Sequence, residues 1–354
     1  MIVVDLRNLK PRDQMGRVPR TLLFPALAPL SILYGALVGL WRRLPGKAVD
    51  VGIPVVSIGS ILVGGTGKTP LCMLTARMLA RSGRRVCVIS RGYMRKGKQS
   101  PLKVSNGHGL LVSVAEAGDE PYLIARRLQG ISVVVGKDRV AAARAAISAF
   151  KPNVFVLDDG FQARGIAKCL DVVTLDGASL RSRQALLPLG RLREPWDAIR
   201  PEHVAVVVLE PGEPKPSDRA RGRLPRTVFF AALQDPVLMD ADGCAQSADS
   251  VKGLPVLVLS GIAQPARFER TCIRAGVQPL VSIRFGDHHW YDEGDAVRVS
   301  ALMHRHGCKR LVTTEKDFGK LPQSLRDAAL AVRADITIDN PQAFEAVLQG
   351  GIGG

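Results

Sequence analysis

Aromatic residues are scarce, 5% of the chain, and they are not interleaved with basic clusters, so the stacking platform that single-stranded nucleic acid needs is missing. The six cysteines (Cys72, Cys87, Cys169, Cys244, Cys272 and Cys308) are scattered without a C-x-x-C pair. That excludes a disulfide framework and a zinc finger, and it reads as small apolar residues in a reducing compartment. No internal repeat and no sustained low-complexity tract occurs. Acidic residues are the other shortage: 49 Lys and Arg stand against 32 Asp and Glu, a net charge of +17. Such an excess implies polyanionic surroundings, whether nucleic acid, anionic lipid headgroups or a phosphorylated substrate. With no aromatic platform and no metal-finger spacing, nucleic acid is not an expected partner, and nothing calls for an obligate protein partner.

What is present is an ordered globular composition, 46% apolar over 354 residues, enough for two domains with sizeable cores. One apolar stretch, Leu22 to Trp41, is flanked by Arg17 and Arg20 on one side and by Arg42, Arg43 and Lys47 on the other. Pro25 and Pro29 interrupt it, so the sequence predicts a regular helix from about Pro29 to Arg43. At ~1.5 Å per residue that is about 20 Å, against roughly 30 Å of hydrocarbon. A helix lying in one leaflet with its arginines near lipid phosphates fits that length better than a span. A signal peptide is excluded because Ala26-Leu27-Ala28 falls inside the apolar run instead of after it.

The most informative stretch is Val63-Gly64-Gly65-Thr66-Gly67-Lys68-Thr69-Pro70. Val55 to Ile58 before it reads as a buried strand, and Pro70 to Arg81 after it carries Leu71, Leu74, Met78 and Leu79 at helical spacing. A glycine loop opening onto a helix N-terminus offers backbone N–H groups and the positive end of the helix dipole to a polyphosphate. Lys68 adds a charge for the outer phosphates and the Thr69 hydroxyl is a magnesium ligand; Gly64, Gly65, Thr66 and Gly67 form the cradle. Leu62 stands where the strict pattern has its first glycine, so the motif is a shortened variant. Downstream, Val154-Phe155-Val156-Leu157-Asp158-Asp159 is an apolar strand ending in two acids. A carboxylate at such a strand end holds the magnesium that bridges the β- and γ-phosphates of ATP, and either Asp158 or Asp159 can be the ligand.

Strand-like runs at Val55–Ile58, Val86–Ser90, Ser132–Val135, Asn153–Leu157, Asp171–Leu175 and Val204–Leu209 alternate with helical ones, the signature of a parallel sheet covered by helices. The proline-rich, charged segment after Glu210 reads as a linker or hinge. A second α/β unit follows, with strands at Val256–Leu259, Val281–Phe285 and Leu311–Thr313. The expected architecture is therefore α/β: a P-loop nucleotide-binding parallel sheet, a second, smaller α/β domain and an N-terminal membrane-associated helix. The expected boundaries are 1–48 for the membrane-associating segment, 49–210 for the P-loop kinase domain, 211–226 for the linker and 227–354 for the second domain. The glycine-rich end, Gly350 to Gly354, is expected to fray.

Beyond these features, a series of short strings occurs in fixed order: Leu33-Tyr34-Gly35, Ser57-Ile58-Gly59, the glycine loop, Ser90-Arg91-Gly92-Tyr93, Gly118-Asp119-Glu120-Pro121, Gly136-Lys137-Asp138-Arg139, Asp158-Asp159-Gly160-Phe161-Gln162, Leu187-Pro188-Leu189-Gly190-Arg191-Leu192-Arg193-Glu194-Pro195, Phe285-Gly286-Asp287-His288-His289 and Thr313-Thr314-Glu315-Lys316-Asp317. In this order they closely resemble the tetraacyldisaccharide 4'-kinase family, the lipid A 4'-kinases of Gram-negative bacteria, over nearly the whole chain. The resemblance implies transfer of the γ-phosphoryl group of ATP, with Mg2+, to the 4'-hydroxyl of an acylated disaccharide 1-phosphate at the cytoplasmic face of the inner membrane. It implies that Asp119 is the base that takes the hydroxyl proton and that His288 pairs with it, which would put base and partner in different units and let hinge closure assemble the site. Arg91, at a strand's carboxyl edge, and Gln162, Arg193 and Glu194 are candidate substrate contacts; Arg164 continues from Gln162 into the presumed cleft, and Lys137 and Arg139 open a helix. An Asp119 that merely caps a helix is the plain alternative.

Three positions depart from the family pattern: Ser60 in place of asparagine, Met94-Arg95 in place of a glycine-containing turn, and Ala163 in place of histidine. A GTPase is excluded by the missing N/T-K-x-D string, since in Thr314-Glu315-Lys316-Asp317 the lysine comes one position late. A non-catalytic membrane- or nucleic-acid-associated P-loop ATPase or sensor is the remaining alternative, which would have no use for an acceptor-side base such as Asp119.

Overall fold

The run of buried valines and isoleucines that the sequence reads as parallel strands forms the centre of a nine-stranded sheet. The computed structural model describes residues 1–7, 20–44, 46–182, 184–217 and 221–353, with side chains of the first helix described from residue 27 onward. Strands are β1 (Ile2–Asp5), β2 (Val55–Gly59), β3 (Val86–Ser90), β4 (Leu102–Asn106), β5 (Ser132–Val135), β6 (Val154–Asp158), β7 (Leu170–Asp176), β8 (Val204–Leu209), β9 (Thr227–Leu233), β10 (Val237–Met239), β11 (Ala245–Gln246), β12 (Val256–Ser260), β13 (Pro279–Arg284), β14 (Arg310–Thr314), β15 (Ala329–Arg333) and β16 (Ile336–Ile338). The first sheet has the order β16-β9-β8-β7-β2-β6-β3-β5-β4. Its interior pairs are parallel, and β4 and β16 close the two edges antiparallel. β2 lies between β6 and β7, where the chain changes the direction in which it adds strands. Ligands of open α/β sheets bind at the carboxyl edge of such a switch point, and the glycine loop leaves β2 there.

Helix α2 (Lys68–Arg81) buries Leu71, Cys72, Met78 and Leu79 against this sheet. The C-terminal helix, Pro341–Gly353, adds Phe344, Leu348 and Ile352 to the same core. Two compact units result. One holds the nine-stranded sheet, the first helix and the C-terminal helix; the other holds β1 and residues 234–335. The second unit has its own sheet, β1-β13-β12-β14-β15-β10-β11, parallel except where β10 joins it, around Leu257, Leu259, Val281, Ile283 and Leu311.

Several sequence expectations need correction. The segment expected as a linker, 211–226, joins two neighbouring parallel strands, β8 and β9, so it is a crossover within the first sheet; its residues 218–220 lie outside the described residues. The second unit ends at Asp335, because β9, β16 and the C-terminal helix complete the first core. The chain end is not frayed up to Gly353: Ile352 is buried, and a Cβ on Gly351 would stand 3.2 Å from Leu170. Residues Ile2–Asp5 are a strand paired with β13 and not part of a membrane segment.

The first helix, α1, runs without a break from Arg20 to Arg43, 24 residues or about 36 Å, through both prolines. Each proline removes one backbone donor. Tertiary contacts override that loss: Ser31 Oγ donates to Leu186 O at 2.8 Å, Tyr34 OH to Arg193 O at 2.9 Å, and Arg42 Nη1 pairs with Asp197 at 2.6 Å. The other face shows Leu30, Ile32, Leu33, Leu37, Leu40 and Trp41 to the outside, Ile32 being 74% exposed. Arg17, expected to flank this helix, lies outside the described residues. Among the described residues no helix is long and apolar enough to cross a membrane.

Candidate functional site

The loop after β2 is held by hydroxyl groups. Ser60 Oγ donates to Thr174 O at 2.7 Å and accepts from Leu62 N at 3.1 Å. Thr174 Oγ1 donates to Gly59 O at 3.2 Å, leaving Thr66 Oγ1 to donate to Thr174 Oγ1 at 3.0 Å. Arg191 clamps the loop from the side: its carbonyl accepts from Val63 N at 2.8 Å and its Nε donates to Val63 O at 3.2 Å. Gly67 ends the loop at φ 84, and a Cβ there would stand 2.8 Å from Val208 Cγ2, so glycine is required for both conformation and space. No side chain caps α2, which leaves its first turn facing a ligand. Lys68 Nζ folds back over the loop, 3.5 Å from Gly64 O and 3.8 Å from Asp159 Oδ1.

At the end of β6, Asp158 is buried. Its Oδ2 accepts from Ser90 Oγ at 3.0 Å, whereas Oδ1 is buried with no hydrogen-bond partner. Burial first, then the charges of Glu120 and Asp159, push its carboxyl up to about 7, against the Ser90 hydrogen bond and the charge of Lys68. A partnerless buried oxygen among three acids is the environment that a divalent cation relieves, so the residues fit a magnesium ion. Asp159 differs. At φ 52 it turns outward, and Arg193 Nη1 grips both its oxygens at 3.1 and 2.9 Å. The geometry thus separates the two acids, with Asp158 offering a bare oxygen and Asp159 tying Arg193 to Lys68. Among the described residues no three His, Cys, Asp or Glu side chains form a metal cage. Magnesium bound with phosphates and waters needs only one or two carboxylates.

Asp119 is buried at the first position of α4 (Asp119–Arg127), with Gly118 as the cap residue, so it does not serve as the helix N-cap. Its Oδ1 accepts from Glu120 N at 3.0 Å, and the Glu120 charge acts on Asp158, which brings the start of this helix beside β6. Arg139, at the start of α5 (Arg139–Phe150), is buried, with Nη1 donating to Gly136 O; burial lowers its pKa, while the charges of Asp158 and Asp159 raise it. Arg91 and Lys137 are exposed. Gln162 Nε2 donates to Ser60 O at 3.0 Å and to Glu194 Oε1 at 2.8 Å, and Glu194 Oε2 lies 3.9 Å from Arg42 Nε, so this buried glutamate is paired inside the protein. Arg164 caps the end of α1, donating to Trp41 O and, at 2.6 Å, to Leu44 O, and it lines a pocket together with Gln162, Glu194 and Trp41. Met94 adopts φ 53, the left-handed conformation that a glycine-containing turn would supply at less strain.

In the second unit, His288 follows β13 at φ 59, its N donating to Gly261 O at 3.1 Å and its Nε2 lying 3.4 Å from Lys316 Nζ. His289 is structural, its Nε2 2.7 Å from Asp295 Oδ2 and its ring stacked on Phe285.

Sequence reasoning gave no role to Ser90, Thr174 or Arg191, which shape the site from beneath. The signal was there for two of them: Ser90 is the polar residue of a strand otherwise made of buried apolar residues, and Thr174 interrupts the buried apolar stretch Val172 to Leu175.

A switch-point glycine loop, a lysine folded over it and an acid at the next strand end place the chain among P-loop nucleotide-binding proteins. Comparison with known proteins narrows this. The family model described as tetraacyldisaccharide-1-P 4'-kinase matches residues 23–352, and the chain belongs to that family. A tetraacyldisaccharide 4'-kinase of Anaeromyxobacter sp. (strain K) is 39% identical over 90% of this chain and 85% of its own length. That of Geobacter metallireducens is 34% identical over 92% and 98%. The crystal structure of LpxK from Aquifex aeolicus in complex with ATP superposes with a TM-score of 0.74 at 29% identity, covering 95% of this chain and all of that one.

Proposed function

We propose that this protein is an ATP-dependent kinase that transfers the γ-phosphoryl group to the 4'-hydroxyl of tetraacyldisaccharide 1-phosphate, forming lipid IVA. The observation that carries this reading is the bare, buried Asp158 Oδ1 at the strand end beside a glycine loop whose Lys68 reaches Asp159, in a chain of this family. The backbone of Gly64 to Thr69 cradles the phosphates and Lys68 neutralises charge on the transferring group. Thr69 and Asp158 would hold magnesium, and Asp159 would join them only if Arg193 released it. When bound, the ion would neutralise charge on the polyphosphate.

A sugar hydroxyl is a poor nucleophile, and Asp119 is the group proposed to take its proton. Support comes from its burial beside Glu120, whose charge is felt at Asp158. The family membership supports a role for His288 in turnover. Exposed Arg91 is a candidate contact for the anionic acceptor; Gln162, Arg193 and Glu194, tied to loop and helix, shape the pocket around it.

The acceptor is a lipid, and the outward apolar face of α1 together with the +17 charge supports docking on an anionic surface, proposed as the cytoplasmic face of the inner membrane. The test is transfer of label from γ-labelled ATP to tetraacyldisaccharide 1-phosphate in micelles with magnesium. Labelled lipid from the wild type, lost in Lys68→Ala and Asp119→Ala, is the expected result; folded, ATP-binding protein that labels no lipid would overturn the reading.

A further inference from the structure

One segment, residues 185–197, lies between α1 and the glycine loop and is bonded to both. Toward the helix it accepts from Ser31 Oγ at Leu186 O (2.8 Å) and from Tyr34 OH at Arg193 O (2.9 Å), and Asp197 pairs with Arg42 at 2.6 Å. The seat is close: a Cβ on Gly35 would stand 2.8 Å from Leu186 Cδ1. Toward the loop, Arg193 N donates to Ile61 O at 2.7 Å and Val63 N donates to Arg191 O at 2.8 Å. Arg193 therefore carries three contacts at once. Its carbonyl holds the helix, its amide holds the start of the loop, and its guanidinium holds Asp159, which stands 3.8 Å from Lys68. Burial, and then the charge of Glu194, raise the pKa of Tyr34, so its hydroxyl keeps the proton it donates.

We propose that Tyr34, on the outward apolar helix, is a positioning residue for phosphoryl transfer: by fixing the backbone of Arg193 it sets the guanidinium that holds Asp159 against Lys68. The seat of α1 is thereby felt at the nucleotide loop through the backbone of residue 193. A hydrogen bond to a main-chain carbonyl suits this role, because the backbone of residue 193 cannot turn without moving both the Ile61 contact and the Asp159 grip.

This inference rests on the reading of Lys68 and Asp159 as the phosphate end of a kinase site, and a double-mutant cycle separates the two. Phosphoryl transfer from ATP to tetraacyldisaccharide 1-phosphate is measured for wild type, Tyr34→Phe, Arg193→Ala and the double variant, each checked for folding by thermal unfolding. Tyr34→Phe is expected to lower kcat roughly three- to tenfold, as the loss of one hydrogen bond predicts, with a smaller change in the KM for ATP. In the Arg193→Ala background the same substitution is expected to have no further effect. Should Tyr34→Phe fail to fold, Ser31→Ala, which frees the segment at Leu186, is run through the same cycle and is expected to be non-additive with Arg193→Ala. Independent, multiplicative effects would overturn the coupling while leaving the kinase site intact. An Arg193→Ala variant with undiminished transfer would overturn the coupling, because Arg193 would then not set Lys68 and Asp159 for transfer, whereas folded wild type that transfers no phosphoryl group would overturn the kinase reading itself.

Discussion

Ser90 and Asp158 are joined by a 3.0 Å hydrogen bond at the ends of adjacent parallel strands, and this bond satisfies only one of the two carboxylate oxygens. The strand ends therefore hold an acid in a place where its charge is unwelcome until a cation arrives.

That arrangement predicts a conflict between stability and activity at Asp158. Its carboxyl is raised to about 7, by burial above all, from the ordinary 3.8 of an aspartate. Between these values the native state binds more protons than the unfolded one, so in the absence of ligand this group makes stability fall as pH rises, by at most roughly 1.4 kcal/mol per pH unit. Above pH 7 the whole penalty is present. Asp158→Asn should therefore raise the melting temperature of ligand-free protein at pH 8, leave it nearly unchanged at pH 4, and abolish phosphoryl transfer. A variant less stable than wild type at pH 8 would contradict this.

Gly67 admits no side chain without strain. With φ 84 and Val208 Cγ2 2.8 Å from the site of a Cβ, Gly67→Ala should cost on the order of 1–3 kcal/mol and displace the start of α2. ATP binding by calorimetry should weaken at least tenfold; unchanged affinity would show that the loop tolerates another conformation.

The outward face of α1 should govern attachment and not folding. Ile32 and Leu37 are exposed, so charged replacements (Ile32→Glu, Leu37→Glu) bury nothing and should leave the unfolding free energy unchanged within about 0.5 kcal/mol. Sedimentation with anionic vesicles should drop several-fold. Retained binding would place the attachment surface elsewhere.

His288→Ala is expected to reduce turnover by about two orders of magnitude with ATP affinity nearly intact, as loss of a group acting in acid–base chemistry would. Undiminished turnover would assign this histidine, with its Lys316 contact, to the architecture of its own unit.

Most of the nine-stranded sheet was legible because its central strands are buried on both faces and read as unbroken runs; Val86–Ser90, Ser132–Val135 and Val204–Leu209 coincide with their expected bounds. Its edges were not. β4, Leu102–Asn106, has only two apolar residues and ends on two polar ones, and β16 is only three residues long, so neither carries a strong periodic signal. The proline-rich crossover before β9 imitates a domain boundary because surface loops and linkers share one composition. In the site, the glycine loop and the paired acids stood out as types at fixed spacing. The division of labour between Asp158 and Asp159 did not, since it depends on Ser90 and Arg193, which are distant in sequence. The contact of Arg164 with the end of α1 was illegible for the same reason, since its partners, Trp41 and Leu44, are far from it in sequence.

The pairing of Ile336 with Leu233 has a consequence for how such a chain can be taken apart. Residues 234–335 leave the first sheet and return to it at one rung of an antiparallel ladder. Cα atoms across such a rung are roughly 5 Å apart, the gap that a two-residue hairpin turn closes. In topological terms residues 234–335, all of the second unit but β1 and its chain neighbours, occupy the position of a β-turn. A gene in which that stretch is replaced by Asn-Gly would still encode every strand of the nine-stranded sheet, its glycine loop and its closing helix, whereas a simple stop codon at the end of the second unit would not.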